Sequence, residues 1–215
     1  GLDALPKILA MHDGVQVLVV SSLTEAGAEH TLAALSMGAA DTMPKPRSGG
    51  FDESYRDLLL AKIRVLGRAG RKKYPSTTNP PLKTIRQQPR KQPELLAIGA
   101  STGGIHSLCI LLRNLQREFR LPILITQHLP DSFMSVFARQ LELAGSRKAV
   151  IATDRMPIER GHIYVAPGNG HLNVVSGTTG LMCRITRQSM PSGCMPSVDP
   201  MLASAAEATR GHAMG

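Results

Sequence analysis

Two short stretches of the sequence place a reactive side chain at the end of an apolar run. The first is GASTG at residues 99–103, where Ser101 follows a predicted strand and precedes a helix-like pattern. A sharp turn there would expose the Ser101 hydroxyl beside the free N–H groups of the helix start, and such groups can stabilise an oxyanion. The second stretch, residues 121–128, is mostly apolar and ends at His128.

The serine loop is compatible with three functions. It matches the G-x-S-x-G pattern of a nucleophile elbow. The N–H groups at the start of the next helix would equally suit a bound phosphate, although the sequence has neither G-x-G-x-x-G nor the Lys-Ser/Thr pair of a Walker loop here. A purely structural glycine-rich turn is the third interpretation, and the residues alone leave all three open.

The expected topology connects His128 to the serine. If residues 95–128 form a right-handed β-α-β unit, the two strands are parallel neighbours and both side chains lie beyond the same sheet edge. A histidine there could take the serine proton and return it to a leaving group; the alternative is a capping or surface histidine. The candidate acids to orient it are Asp131, Asp154 and Asp199, and no spacing selects among them.

Composition narrows the class of protein. The chain has 215 residues, 42% of them hydrophobic, which indicates a globular fold. Aromatic residues make up only 3%, without tryptophan, so base stacking on nucleic acid is not expected. The three cysteines lack C-x-x-C spacing, and the histidines, including His162 and His171, fit no metal motif. Without a membrane-spanning run or a signal peptide, the sequence predicts a soluble cytoplasmic protein that binds no metal or nucleic acid.

The formal charge of +9 is concentrated in one segment. Residues 62–91 hold ten of the 25 basic side chains and no acidic one, so the rest of the chain is nearly neutral. Five prolines lie between residues 70 and 93. This composition predicts a solvated linker at 70–93, with an electrostatic tether to an acidic partner as the alternative.

Periodicity predicts an α/β region on each side of that linker. Before it, residues 1–69 alternate helix and strand, with a buried parallel strand at 15–20, a short strand at 40–43 and helices at 2–11, 25–37 and 52–67. After it, residues 94–215 contain predicted strands at 95–99, 122–127, 150–152 and 162–166, a hairpin at 172–175 and 182–186, and helices at 105–115, 132–143 and 200–208. A further strand is expected to start near the final residues.

Four longer blocks resemble one protein family. They are AIGASTGG (97–104), ITQHLPDSFMSVFARQL (125–141), GHIYVAPGNGHL (161–172) and PSVDPMLASAA (196–206). In this order they are similar to the chemotaxis response-regulator protein-glutamate methylesterases. Residues 19–46 resemble the second half of a response-regulator receiver domain. The resemblance covers nearly the whole chain outside the linker.

The resemblance implies an activity and its residues. Ser101 would be the nucleophile, His128 the general base, and the backbone N–H of Thr102 part of the oxyanion site. The substrates would be glutamate γ-methyl esters on methyl-accepting chemoreceptors, and some relatives also deamidate glutamines. No cofactor is implied for catalysis. The triad's aspartate would lie in a block beyond Gly215, so the 215-residue chain by itself is expected to be inactive.

The resemblance also implies a domain plan. It consists of a partial receiver domain of flavodoxin-like fold (1–69), the linker (70–93) and a mostly parallel, doubly wound α/β esterase domain (94–215). Ser21 would be the receiver's switch hydroxyl, and Lys45, with a cis bond to Pro46, its phosphate contact. The phospho-accepting aspartate and the acids that bind Mg²⁺ would precede Gly1, and a histidine kinase would be the phosphate donor. A rival interpretation is a signalling adaptor whose second domain is inert.

Overall fold

The computed structural model describes residues 2–11, 14–21, 25–46, 51–69, 92–101, 104–129 and 131–215. It divides into two units, 1–90 and 91–215. The predicted linker at 70–93 lies mostly outside the described residues.

The first unit alternates helix and strand, as the sequence predicts. Its elements are a 3-10 turn at Leu2–Ala4, α1 (Leu5–Met11), β1 (Leu18–Ser21), α2 (Glu25–Ser36), β2 (Asp41–Pro44) and α3 (Glu53–Ala69). β1 and β2 pair in parallel, from Leu18 opposite Asp41 to Ser21 opposite Pro44. Side chains from helices and strand β2 form its core: Leu5, Leu32, Leu35, Met43 and Leu66 are all buried.

The expectation that β1 is a buried strand is wrong. Val20 is 41% exposed, and no residue of β1 is fully buried. A parallel strand is buried when neighbouring strands and covering helices enclose it. Within the described residues β1 pairs with β2 alone, so its apolar side chains are only partly covered. The implied cis bond before Pro46 is also wrong, because the only cis peptide bond in the described residues joins Met195 and Pro196.

Polar contacts fasten α3 to β2. Asp52 caps the helix, since its carboxylate accepts a hydrogen bond from the Tyr55 N–H at 2.8 Å. The Tyr55 hydroxyl donates to the carbonyl of Pro44 at 3.0 Å. At the middle of the helix, the Lys62 ammonium lies 2.6 Å from the Asp41 carboxylate. These contacts place α3 beside β2.

The second unit is built on a five-stranded parallel sheet. The strands are β3 (Leu95–Ala100), β4 (Ile123–Gln127), β5 (Ala149–Ile151), β6 (Ile163–Val165) and β9 (Ala213–Met214), in the order β5-β6-β4-β3-β9. The connecting helices are α4 (Gly104–Asn114), α5 (Met134–Gly145) and α6 (Asp199–Ala208). The predicted mixed α/β class with a mostly parallel sheet is thereby confirmed, including a short strand near the end.

The two faces of this sheet are covered by different layers. Because side chains alternate along a strand, Ile123 and Leu124 face opposite sides. Gly145 of α5 lies against Ile163 and against Leu112 of α4, so these two helices cover the Ile163 side. On the other side, the core joins β3, β4 and β6 to α6 and to the antiparallel hairpin of β7 (His171–Gly177) and β8 (Gly180–Thr186). The hairpin forms a sheet of its own.

Candidate active site

The register of β3 and β4 determines where Ser101 and His128 lie. Gly99 of β3 is paired with Thr126 of β4. Ser101 and His128 each follow their paired residue by two positions, just beyond the strand ends. Two positions along a strand return to the same face, which here is the face covered by α6. Both residues are exposed, and they line one open cavity of about 520 Å³.

The opposite wall of this cavity comes from the chain between β8 and α6. We call residues 187–198 the wall segment; it contains neither helix nor strand. It contributes Ser192, Cys194, Pro196, Ser197 and Val198 to the cavity, and the first turn of α6 adds Asp199 and Leu202. The cavity is therefore bounded on one side by strand ends and on the other by an irregular segment that needs anchoring.

Close packing at Gly99 brings the wall segment onto the sheet. A Cβ at position 99 would lie 2.5 Å from Cγ2 of Val198, a separation that real Cβ atoms do not show. The absent side chain of Gly99 is therefore what allows Val198 to lie against β3, two residues before Ser101. Between the Ser101 loop and α4, the Gly104 N–H donates to the Ser101 carbonyl at 2.8 Å, so that N–H is not free for an anion.

The structure brings Ser101 and His128 together in the cavity, without a direct hydrogen bond between these two described side chains. Catalytic pairs in unliganded enzymes are often loosely engaged and tighten with substrate. Thr102, whose N–H the resemblance places in the oxyanion site, lies outside the described residues. The carboxyl end of adjacent parallel strands is nevertheless where α/β folds build their sites.

The three candidate acids occupy different places. Asp131 accepts hydrogen bonds from the Gly168 N–H at 3.1 Å and from Asn169 at 3.4 Å. Asp154 accepts from the Ile185 N–H at 3.0 Å. Of the three acids, only Asp199 lines the cavity. Its carboxylate accepts a hydrogen bond from the Ser197 hydroxyl at 3.1 Å, so the contact observed for Asp199 is with the wall segment and not with His128.

His171 is the residue near this site whose importance the sequence did not reveal. Its side chain is fully buried at the first position of β7. Its Nδ1 accepts a hydrogen bond from the Ser197 N–H at 2.9 Å, and its Nε2 lies 2.8 Å from the Gln188 carbonyl oxygen. The block GHIYVAPGNGHL marks the histidine, but its partners are far along the chain, where no periodic pattern indicates them.

The cysteines differ in their capacity to react. Burial raises the pKa of the Cys183 thiol to about 12 and also raises the pKa of Cys109. Cys194 is exposed and lines the cavity.

No group of three or more metal-ligating side chains occurs in the part of the chain that the structure describes. Likewise, no helix among the described residues is long and apolar enough to cross a membrane.

In the first unit, Ser21 and Lys45 lie together. Ser21 ends β1, and its carbonyl accepts a hydrogen bond from the Lys45 N–H at 2.7 Å. Both residues are at the carboxyl end of the β1–β2 pair, and the Lys45 side chain is exposed. Their roles as switch hydroxyl and phosphate contact stay predictions.

Comparisons with known proteins identify one family. Residues 96–215 match the family model described as CheB methylesterase. The chain is 35% identical to a protein-glutamate methylesterase/protein-glutamine glutaminase of Paramagnetospirillum magneticum, over 97% of the chain and 62% of that protein. A protein of the same name from Caulobacter vibrioides is 38% identical over the whole chain and 63% of its own length. The chain thus spans about three fifths of these relatives.

A solved structure of the same family has a similar fold. The crystal structure of the Thermotoga maritima CheB methylesterase catalytic domain is similar with a TM-score of 0.54 at 28% identity. The similarity covers 57% of this chain and 65% of that one.

Proposed function

This chain belongs to the CheB methylesterase family, and we propose that its full-length gene product hydrolyses glutamate γ-methyl esters on chemoreceptors to carboxylate and methanol. The observation that carries the proposal is the common cavity of Ser101 and His128 at the carboxyl ends of adjacent parallel strands. An exposed hydroxyl beside an exposed imidazole, with a helix beginning next to them, is the arrangement that acyl transfer requires. The names of these relatives describe the same reaction class.

The chemistry proceeds in two halves. Oγ of Ser101 attacks the ester carbonyl carbon while His128 takes the hydroxyl proton. The tetrahedral intermediate collapses, the bond to the methoxy oxygen breaks, and His128 returns the proton so that methanol leaves. Water then attacks the resulting glutamyl ester of Ser101, again losing a proton to His128, and releases the glutamate carboxylate and the serine hydroxyl. Neither half needs a metal or an organic cofactor.

Deamidation of glutamine follows from the same intermediate. If the leaving group is ammonia in place of methanol, the acyl-enzyme and its hydrolysis are unchanged. The glutaminase named in the relatives is therefore proposed here as a second activity of the same cavity. The N–H groups at the Thr102 end of the loop would hold the oxyanion in both reactions.

Regulation is proposed for the first unit. Residues 1–69 would be part of a receiver domain, with Ser21 and Lys45 responding to phosphorylation by a histidine kinase. The parallel β1–β2 pair, with both residues at its carboxyl end, supports this because α/β sites form at that edge. The predicted linker at 70–93 would connect the units.

The experiment measures methanol release from methylated chemoreceptor by the full-length gene product. Ser101→Ala should lower the rate by about 10⁴- to 10⁶-fold, and His128→Gln nearly as much, because members of one nucleophile–base unit act together. The double variant should be little worse than either single variant. Ser176→Ala is the matched control: it removes a hydroxyl that bonds the Ala208 carbonyl at 3.3 Å, outside the cavity, and should keep the rate.

Three results would contradict the proposal or one of its residue roles. A Ser101→Ala variant that retains substantial activity would remove the serine from the mechanism, and multiplicative losses in the double variant would place His128 in a separate role. A folded wild-type protein without activity on any methyl ester would favour the adaptor.

A further inference from the structure

Only one tautomer of the His171 imidazole satisfies both of its hydrogen-bond partners. The Ser197 N–H can only donate, so Nδ1 must be the unprotonated nitrogen that accepts at 2.9 Å. The main-chain carbonyl of Gln188 can only accept, so Nε2 must carry the proton and donate at 2.8 Å. Both ring nitrogens are thereby occupied in a side chain with 0% exposure. The imidazole has no free position for a proton transfer or a metal.

These two hydrogen bonds reach both ends of the wall segment. Gln188 is its second residue and Ser197 its eleventh, and the segment has no helical or strand ladder of its own. His171 itself is paired with Thr186, the last residue of β8. The imidazole therefore closes the segment against the base of the hairpin, which restricts conformations that a loop of this length would otherwise adopt.

From Ser197 the contacts continue into the cavity. The Ser197 hydroxyl donates to the Asp199 carboxylate at 3.1 Å and lies 3.4 Å from the Ser192 hydroxyl. The next residue, Val198, lies against Gly99, two residues before Ser101. The position of Ser197 thus determines how closely the wall approaches the strand ends that carry Ser101 and His128.

We propose that His171 is a positioning residue for ester hydrolysis, which acts through Ser197 to set the distance between the wall segment and Ser101. The inference rests on the proposed function, because it takes the cavity to be the ester site. Displacing a cavity wall by about 1 Å can lower the rate by about 10²-fold, even when the displaced group is not reactive.

Two substitutions separate the two hydrogen bonds. In His171→Asn the side-chain amide reaches the place of Nδ1 and can present its oxygen to the Ser197 N–H. In His171→Gln the amide reaches the place of Nε2 and can donate to the Gln188 carbonyl, leaving Ser197 unpaired. We expect kcat/KM of His171→Gln to fall about 10- to 100-fold, and His171→Asn to remain about tenfold more active than His171→Gln.

The readouts distinguish positioning from stability. In the full-length gene product, hydrogen exchange at the Ser197 amide should be slow in the wild type and in His171→Asn, and fast in His171→Gln. Val174→Ala is the control, since Val174 is a buried core residue of the same strand and its N–H donates to the Ser204 hydroxyl of α6, not to the wall segment. It should lower the unfolding midpoint while the rate per folded molecule stays at the wild-type value.

Several outcomes would overturn the inference. Equal kcat/KM per folded molecule in His171→Asn, His171→Gln and Val174→Ala would reduce His171 to a core residue. Should the histidine variants as a group fail to fold, the wild type supplies the test. If its Ser197 amide exchanges as fast as an amide of a loop without hydrogen bonds, His171 does not hold Ser197 and the inference fails. If Ser101→Ala is inactive while His171→Gln is as active as the wild type, this inference fails and the proposed function stands. An active Ser101→Ala refutes the proposed function itself.

Discussion

Adding one methyl group at Gly99 should damage the cavity without touching any reactive atom. The Cβ of an alanine at this position would lie 2.5 Å from Cγ2, 3.2 Å from Cβ and 3.5 Å from Cγ1 of Val198. The first two distances are shorter than ordinary van der Waals contact. Either β3 or the wall segment must move, and both border the cavity beside Ser101.

The expected size follows from two opposing effects. Replacing glycine by alanine stabilises a protein by about 0.4–1 kcal/mol when the new side chain meets nothing, because the unfolded chain loses freedom. Overpacking a close contact costs about 1–3 kcal/mol. We therefore expect Gly99→Ala to lower the free energy of unfolding of the second unit by about 1–2 kcal/mol, together with a fall in kcat/KM.

Val198→Ala provides the compensating change. It removes both Cγ atoms and leaves only the Cβ, 3.2 Å from the new methyl, which a shift of a few tenths of an ångström relieves. Alone it should cost about 1–2 kcal/mol through lost burial. The double variant should lose about 1 kcal/mol less free energy of unfolding than the sum of the two single losses, and its kcat/KM should recover in part.

The assay is urea unfolding followed by circular dichroism, with ester hydrolysis measured on the same samples. Gly67→Ala is the control, because nothing lies within 4 Å of a Cβ there and the residue is inside α3. It should stabilise the first unit by about 0.5–1 kcal/mol. A Gly99→Ala protein that is as stable and active as the wild type would refute the close contact, as would strict additivity with Val198→Ala.

Two further predictions concern side chains of the cavity. Asp199→Asn should lower methanol release far less than Ser101→Ala does; a loss of about 10⁴-fold, the cost of losing the acid of a serine triad, would instead identify Asp199 as the acid that orients the histidine. A maleimide at pH 8 should modify Cys194 and block hydrolysis by filling the cavity, whereas Cys194→Ser should resist the reagent. Burial holds the pKa of Cys183 at about 12, so mass spectrometry should find Cys183 modified only after unfolding; its modification in the folded protein would contradict this.

Much of the second unit could be predicted from local patterns. The apolar runs that end at Gly99 and at Gln127 are long enough to identify two buried strands, and the helix between them implies that they are parallel. That argument alone places Ser101 and His128 at one sheet edge, and the structure has them in one cavity. Short-range periodicity was sufficient because β3, α4 and β4 are consecutive in the chain.

The features that could not be predicted from the sequence depend on contacts between residues that are distant in the chain. β1 has the composition of a buried strand, yet burial requires covering neighbours, and composition does not reveal whether they are present. The role of His171 depends on Ser197, 26 residues later, in a segment without periodicity. The same holds for Gly99, whose importance comes from Val198 and not from its own turn.

The β7–β8 hairpin has a further consequence for how this family can diversify. It forms a two-stranded sheet of its own, and its two ends are unlike. The end at His171 and Thr186 is tied to the wall segment, whereas the tight turn at Gly177 and Gly180 lies six residues away along the ladder, at its other end. Insertions at the turn would lengthen both strands without shifting the register of the parallel sheet. Changes in the length and sequence of the outer end would therefore leave the inner end, with its histidine and the adjoining cavity wall, in place.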